Sequence, residues 1–387
     1  LEREALTIDA ALAALAPCRD ALIRHASHLD AVTQAAEVLA GARRERGVTC
    51  LRGWIPAERL DELRATAAAC GWGLSEREPR RDEEPPTLVR TPRWARSIDS
   101  LMALLGIRPG YREPDPGAIF LPFFTFFVSM LIADAAYGAL MLGGALALRL
   151  RPVAAISREA VALLAILGGG TLLWGLATGS CLGIPHLPRL PWFAGSDEQV
   201  TRLSYFLCFL TGALHMSAAH LWNAIRIAPR LEAVGQIGWL AIVWLMFGVA
   251  IQLVLGITVP LPLLLGLGIG GVVLAALPML LNLRHAWADL VMMPLTVIGN
   301  FGDVMSYLRL FLVGSTGAAL IGAFNGIAFT DLPLWAGIPV IIVAHLLNLS
   351  LCALAVLVHG VRLNALEFSL HLGIQWSGRP YRPLARS

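Results

Sequence analysis

From about residue 117 onward, apolar positions run together in windows closed by short polar or Pro/Gly segments. Eight windows stand out, at about 117–133, 134–148, 160–182, 203–224, 236–257, 260–282, 290–328 and 333–371. An α-helix rises about 1.5 Å per residue, so about 20 apolar residues cross a hydrocarbon core of about 30 Å. The pattern predicts a mainly α, polytopic membrane protein with eight transmembrane helices within residues 117–372. The last two windows run to about 40 residues, roughly twice a perpendicular crossing, so they are expected to be long and tilted, to protrude or to break. Gly314, Gly317, Gly322, Gly326 and Pro339 offer places for bending.

Before residue 117 the pattern changes: 35 of the 57 Asp, Glu and Arg residues precede residue 116. Residues 1–47 read as a helical, coiled-coil-like arm, with Leu22, Leu29, Val32, Ala36 and Leu39 spaced to suit a helical partner and Pro17 interrupting the run. Residues 48–116 read as a small cytoplasmic α/β lobe and linker. "VTCLRGW" is strand-like, Pro56 opens a helix that lasts to about Ala69, Gly71 closes it, and "GWGLSE" is a second short strand. "EREPRRDEEPPTLVRTPRW" is a charged, Pro-rich connector, and residues 373–387 form a cytoplasmic tail. The chain opens on Leu1 with no signal-peptide pattern ahead of the polar region, so a further upstream portion is expected.

Composition sharpens the membrane reading: 57% of the residues are hydrophobic and 15% charged, with a mean hydropathy of +0.67. All 30 basic residues are arginine and the net charge is +3, too small to argue for nucleic acid. The six cysteines are scattered, without a Cys-x-x-Cys pair, and read as small apolar fillers. No phosphate-binding Gly-Lys-Ser loop or metal-ligand cluster is found, so no cofactor and no nucleotide site are expected. The positive-inside rule orients the windows. With the polar region cytoplasmic, Arg149, Arg151, Arg158, Arg226, Arg230, Arg284, Arg379, Arg382 and Arg386 lie inside, against Arg189 and Arg202 outside, which places both termini in the cytoplasm.

Candidate chemistry lies where charge enters apolar sequence. Arg309 and Arg362 are the only arginines deep inside the windows, where a charge costs about 2.5–3.5 kcal/mol on the mildest scales. A guanidinium keeps its proton throughout the physiological range, so it serves as a fixed charge rather than a proton carrier. With the final helix starting near Pro339, Arg362 and Arg309 fall 23 and about 22 residues on either side of the turn, at similar depth on antiparallel helices. Arg309 then either awaits a carboxylate of another subunit or is neutralised by Asp303 or Glu367. Asp303 is six residues away and does not face it on one helix. His359 and Arg362, at i and i+3, share a face, while Glu367, five beyond Arg362, points elsewhere. Asp134, in "IADAAYG", sits between two windows near the outer side. His215, His220 and His345 read as core or interfacial residues, "HLPRLPWF" as an external turn carrying Trp192, and "GLGIGG" as close helix packing.

The segments "GDVMSYLRLFLVGSTGAALIGAFNGIA" and "AHLLNLSLCALAVLVHGVRLNALEFSLHLGIQWSGRPYRPL" closely resemble the last two membrane helices of subunit I, also called subunit a, of V-type and A-type rotary ATPases. "RGWIPAERLDEL", "PPTLV", "YREPDP", "FFTFFVSMLIADAAYG" and "WGLATGS" match the same family in the same order, so the resemblance covers nearly all of residues 48–387. It implies a non-catalytic stator beside a rotating ring of proteolipid helices, with Arg309 and Arg362 meeting the ring carboxylate and blocking leakage between two offset half-channels. Proton or sodium flow would thereby couple to ATP hydrolysis or synthesis in other subunits. It also implies Asp134 in the outer half-channel and His359 and Glu367 on the terminal helix, with Asp303, Ser306 and Tyr307 among the ion-translocation residues. The implied partners are the proteolipid ring, peripheral-stalk subunits bound through the N-terminal region, and a central-stalk or ring-cap subunit. A prokaryotic plasma membrane is the expected location. The usual Gly-Asp-x-Gly-Tyr-Gly appears as Ala133-Asp134-Ala135-Ala136-Tyr137-Gly138. An acid and a histidine that some members carry before and after the first arginine are replaced by Leu295 and Gly317. A secondary transporter, which would show inverted repeats, and a non-conducting scaffold with structural arginines are the alternatives.

Overall fold

A computed structural model describes residues 2–45, 47–80, 82–153, 155–184 and 188–381. The chain forms two compact units, residues 1–88 with 378–387, and residues 89–377. Residues 89–116, which composition groups with the polar lobe, thus cluster with the apolar helices.

In the first unit, α1 (Glu2–Ala40) is continuous, so the interruption expected at residue 17 is absent. Leu22, Leu29, Val32 and Leu39 are exposed along it. An antiparallel hairpin pairs β1 (Arg43–Glu45) with β2 (Val48–Cys50). A 3₁₀ turn, Ala57–Arg59, leads into α2 (Leu60–Cys70). That helix stops at Gly71, whose φ of 67° is open to glycine at little cost. The strand expected at "GWGLSE" is not formed; residues 72–80 carry no regular structure. Glu83 gathers the connector instead: its carboxylate accepts from both Nη atoms of Arg77 at 2.7 and 2.6 Å, from the Arg80 N–H at 3.0 Å, and from Arg52. These arginines hold the Glu83 carboxyl down to about 2, the Arg77 hydrogen bonds being the largest cause. Cys18, Cys50 and Cys70 are exposed, unlike Cys208 and Cys352, so the filler reading holds only for the latter two.

The second unit opens with α3 (Ile98–Leu105), followed by α4 (Gly117–Ile132) and α5 (Ala135–Leu150). Then come α6 (Arg158–Thr178), α7 (Asp197–Ile227), α8 (Glu232–Leu255) and α9 (Leu261–Leu281). The last four are α10 (Leu283–Ser306), α11 (Leu308–Gly326), α12 (Leu334–Ala355) and the short α13 (Ser369–Leu372). Among the described residues five helical stretches are long and apolar enough to cross a membrane: Arg158–Thr178, Glu232–Leu255, Leu261–Leu281, Ala286–Asp331 and Leu334–Leu372. The helices α4 and α5 stand where the first two windows predict them, but 16 residues each give only about 24 Å of helix. The 31-residue α7 buries Ser204, His215, His220 and Asn223, so its length is sufficient but its composition is mixed.

Packing is closest where glycines let backbones touch. A Cβ at Gly138 of α5 would collide with the backbone of Leu172 on α6, and one at Gly175 with that of Ala135. In "GLGIGG", a Cβ at Gly271 would lie 3.0 Å from Ile242 and 3.1 Å from the Gly238 carbonyl on α8. Around α7, the fully buried Phe127, Phe209, Met216, Val243, Tyr307 and Leu310 join α4, α8, α10 and α11 in one core.

The two longest stretches are not uniform helices. The α10–α11 path breaks at Tyr307, and wide π-helical turns occupy Ile327–Asp331, Val356–Gly360 and Leu363–Phe368. The final helix begins at Leu334 after Pro333, so Pro339 lies inside it rather than at its start.

Candidate functional site

At the break after α10, the Leu310 N–H turns back to the Tyr307 carbonyl at 3.0 Å. The Ser306 carbonyl is then taken by Nε of Arg309, also at 3.0 Å. Tyr307 is fully buried; its hydroxyl meets Nδ1 of His215 at 2.8 Å, and its ring packs edge-on to Phe127. It wedges against Gly212, where an added Cβ would come within 2.7 Å of the ring. The Ser306 hydroxyl donates to the Gly302 carbonyl at 2.9 Å, a bond within its own helix. Tyr307 and Ser306 therefore shape the backbone that presents Arg309.

Arg309 and Arg362 converge on one atom. Nη2 of Arg309 lies 3.4 Å and Nε of Arg362 3.1 Å from Oε1 of Glu367. This corrects one expectation and bears on an alternative left open for Arg309. Glu367 does not point away from Arg362: in a regular helix residues five apart diverge, but the π-helical turn over Leu363–Phe368 brings i and i+5 onto one side. Nor is Arg309 free of carboxylates of its own chain. Glu367 is buried and its Oε2 has no hydrogen-bond partner among the described residues, whereas the arginine side chains are 29% and 49% exposed. One carboxylate between two guanidiniums leaves a positive charge unbalanced. His359 lies one π turn earlier, its Nδ1 buried and without a partner among the described residues.

Asp303 does not meet Arg309. Its Oδ2 lies 3.1 Å from Nε2 of His371, and a polar chain continues from there through His220 to Gln236. Composition marks His220 as a core residue and passes over His371 and Gln236; their only sequence signal is a polar residue near the end of an apolar window.

At the other end of α5, Asp134 is the N-cap. Oδ1 accepts from the N–H groups of Ala136 and Tyr137 at 2.9 and 3.2 Å, and Oδ2 from that of Leu182 at 2.6 Å. Its role here is structural geometry familiar from helix starts. The Tyr137 hydroxyl meets Nδ1 of His345 at 2.8 Å and accepts from Asn348 at 3.3 Å, so a second polar cluster links α5 to α12. Glu113, in "YREPDP", accepts from the N–H groups of Gly110, Gln375 and Trp376 and so ties down the turn after the last helix. Trp192 is largely exposed, at 83%. Residues 186 and 187 of the loop that carries it lie outside the described residues, as do Arg382 and Arg386.

No family model matches the chain. It is 30% identical over 405 residues to the V-type ATP synthase subunit I of Borreliella burgdorferi, covering 95% of this chain and 65% of that relative. It is 32% identical over 370 residues to the V-type ATP synthase subunit I 1 of Treponema pallidum, covering 88% and 59%. The A-type ATP synthase subunit I of Archaeoglobus fulgidus is 25% identical over 399 residues, covering 87% and 58%. The chain thus spans about three fifths of the length of these curated relatives.

Proposed function

The chain is an integral membrane protein related over most of its length to the subunit I proteins of V-type and A-type ATP synthases, and from that premise we propose that it is the ion-guiding stator of such a machine. In this reading α4, α5 and α7 complete eight spans, both termini face the cytoplasm of a prokaryotic cell, and the N-terminal region receives the peripheral stalk. The proteolipid ring passes the face that carries Arg309 and Arg362.

The observation that carries the proposal is the pairing of two guanidiniums with one buried carboxylate. Arg362 engages Glu367 through Nε, and its other N–H groups have no partner among the described residues. A guanidinium carries five donors in a planar fork, so this pair keeps capacity for a further acid. At an effective dielectric of about 20 and a separation of about 4 Å, an arriving carboxylate gains about 4 kcal/mol from one such charge. Opposite charge at that range lowers a carboxyl pKa by about 1–3 units. The ring acid would release its ion on reaching the arginines, and could not carry it straight past them.

Arg309→Ala tests this. It leaves Glu367 paired with Arg362, so the assembled complex is expected to survive while ATP-driven ion transport in reconstituted vesicles is lost. Transport at the wild-type rate in Arg309→Ala would show that the arginines are structural and the reading wrong.

A further inference from the structure

Apart from the arginine pair, a hydrogen-bonded chain crosses four helices of the second unit. Asp303 Oδ2 on α10 lies 3.1 Å from Nε2 of His371 on α13. Nδ1 of His371 lies 3.1 Å from Nε2 of His220 on α7, and Nδ1 of His220 lies 2.9 Å from Oε1 of Gln236 on α8. Asn223 donates to the His371 carbonyl at 3.0 Å, steadying the residue that carries the middle ring. All four imidazole nitrogens are engaged. The rings are buried, at 7% for the His371 side chain and 5% for His220, while Asp303 and Gln236 at the ends are half-buried.

Donor and acceptor roles along this chain are mutually constrained. A neutral imidazole donates from one nitrogen and accepts at the other. With Gln236 presenting its oxygen, His220 donates from Nδ1 and accepts at Nε2. His371 must then donate from Nδ1, and the proton between its Nε2 and Asp303 comes from a protonated carboxyl, or from a doubly protonated ring beside a carboxylate. When the Gln236 amide turns to present its N–H, every direction reverses: Nε2–H of His220 donates to His371, and Nε2–H of His371 donates to an ionised Asp303. Amide oxygen and nitrogen are assigned from such networks, so both orientations fit the same heavy atoms. The two arrangements differ by one proton.

We infer that Asp303, His371, His220 and Gln236 form a reversible one-proton relay, and that the ion this chain handles is the proton rather than an alkali cation. The inference rests on the stator reading. Starting from ionised Asp303, the Gln236 amide swings clear of Nδ1 of His220, and a hydronium ion on that side gives this nitrogen a proton and leaves as water. The Nε2–H bond of His220 breaks as its proton passes to Nδ1 of His371. The Nε2–H bond of His371 breaks as its proton passes to the Asp303 carboxylate. Gln236 then turns its oxygen to the new N–H. One proton has entered, none is lost, and the reverse sequence returns it. Asp303 precedes Arg309 by six residues, about 9 Å of helix, so the relay ends close to the unbalanced positive charge. A hard cation needs a shell of oxygen ligands, and two imidazole nitrogens 3.1 Å apart supply neither the oxygens nor the space.

The test uses the whole rotary complex in vesicles, with ATP-driven acidification and uptake of radiolabelled sodium measured side by side. His220→Gln keeps a hydrogen-bonding group in place but cannot pass a proton from one ring nitrogen to the other. Acidification is expected to fall about a hundredfold or more, the scale of losing a positioned proton-transfer group, with assembly retained. Acidification within twofold of wild type, or ATP-driven sodium uptake, overturns the relay. Should His220→Gln not assemble, Gln236→Leu leaves both imidazoles and removes the turning amide; it is expected to slow acidification several-fold, and a wild-type rate overturns the relay. Arg309→Ala in the same vesicles separates the two ideas. If it stops transport while His220→Gln does not, only the relay falls; if it transports normally, the stator reading falls.

Discussion

Replacing Glu367 with glutamine removes the one charge that holds Arg309 and Arg362 together. Both guanidiniums reach the same oxygen, so their contacting nitrogens lie no farther apart than 6.5 Å, the sum of the 3.4 and 3.1 Å distances. Two positive charges at that separation repel by about 2.5 kcal/mol at an effective dielectric of about 20. Removing one partner of a buried ion pair costs about 3–5 kcal/mol, because the remaining charge is left uncompensated. In an apolar surrounding little screens the charge left behind, so Glu367→Gln is expected to cost about 3–5 kcal/mol. The full chain unfolded reversibly in mixed micelles, followed by fluorescence of its 11 tryptophans, would measure this. Adding Arg362→Leu to Glu367→Gln removes one of the two repelling charges and is expected to recover about 2 kcal/mol. A loss below about 1 kcal/mol for Glu367→Gln, or a double variant less stable than the single, would refute the shared-carboxylate account.

Other outcomes follow from the same coordinates. Gly138→Ala forces a methyl group into the Leu172 backbone and is expected to cost about 1–3 kcal/mol or more in the same unfolding assay. Gly143→Ala, five residues on in open space, should be neutral or stabilising by up to about 1 kcal/mol. Asp134→Ala abandons three backbone N–H groups and is expected to cost about 2–3 kcal/mol. Asp134→Asn keeps a capping oxygen, so a variant that stays stable yet loses transport would assign the carboxylate an ion-conducting role as well. For the first unit, Glu83 has its ordinary value of 4.5 lowered to about 2. Its stabilising contribution is therefore fully present above about pH 4.5 and lost as pH falls toward 2, and Glu83→Gln should flatten that part of the acid-unfolding curve.

Much of the helical framework was legible because apolar runs report burial or lipid contact directly. The start of α5 follows from Asp134, whose short side chain caps the helix after Ala133 enters the left-handed region at φ 49°. The end of α2 follows from Gly71. Hydropathy could not fix how many windows cross the membrane, since α4 and α5 are apolar but short and α7 is long but polar within. The strand expected at "GWGLSE" failed because strand propensity needs a pairing partner to matter. In the first unit the described pairing is confined to the three-residue hairpin of β1 with β2 and a single bridge between Thr87 and Pro380.

The site was harder to read, for a geometric reason. Positions of Arg309 and Arg362 stand out in any hydropathy profile, but their relation to Glu367 depends on departures from 3.6 residues per turn. A reading that assumes regular helix sends Glu367 away from Arg362; the π-helical turn over Leu363–Phe368 returns it. Likewise the break at Tyr307 leaves the Ser306 carbonyl to the Arg309 guanidinium. In an apolar surrounding an unpaired charge is costly, and a helix that widens or breaks can bring an acid or a carbonyl to a base that a regular helix would leave alone. Such irregular turns leave no periodic trace, since they change which residues meet without changing which are apolar. The irregular helix is thus what assembles the charge cluster, and straightening Leu363–Phe368 would separate Arg362 from Glu367 while every apolar window stayed in place.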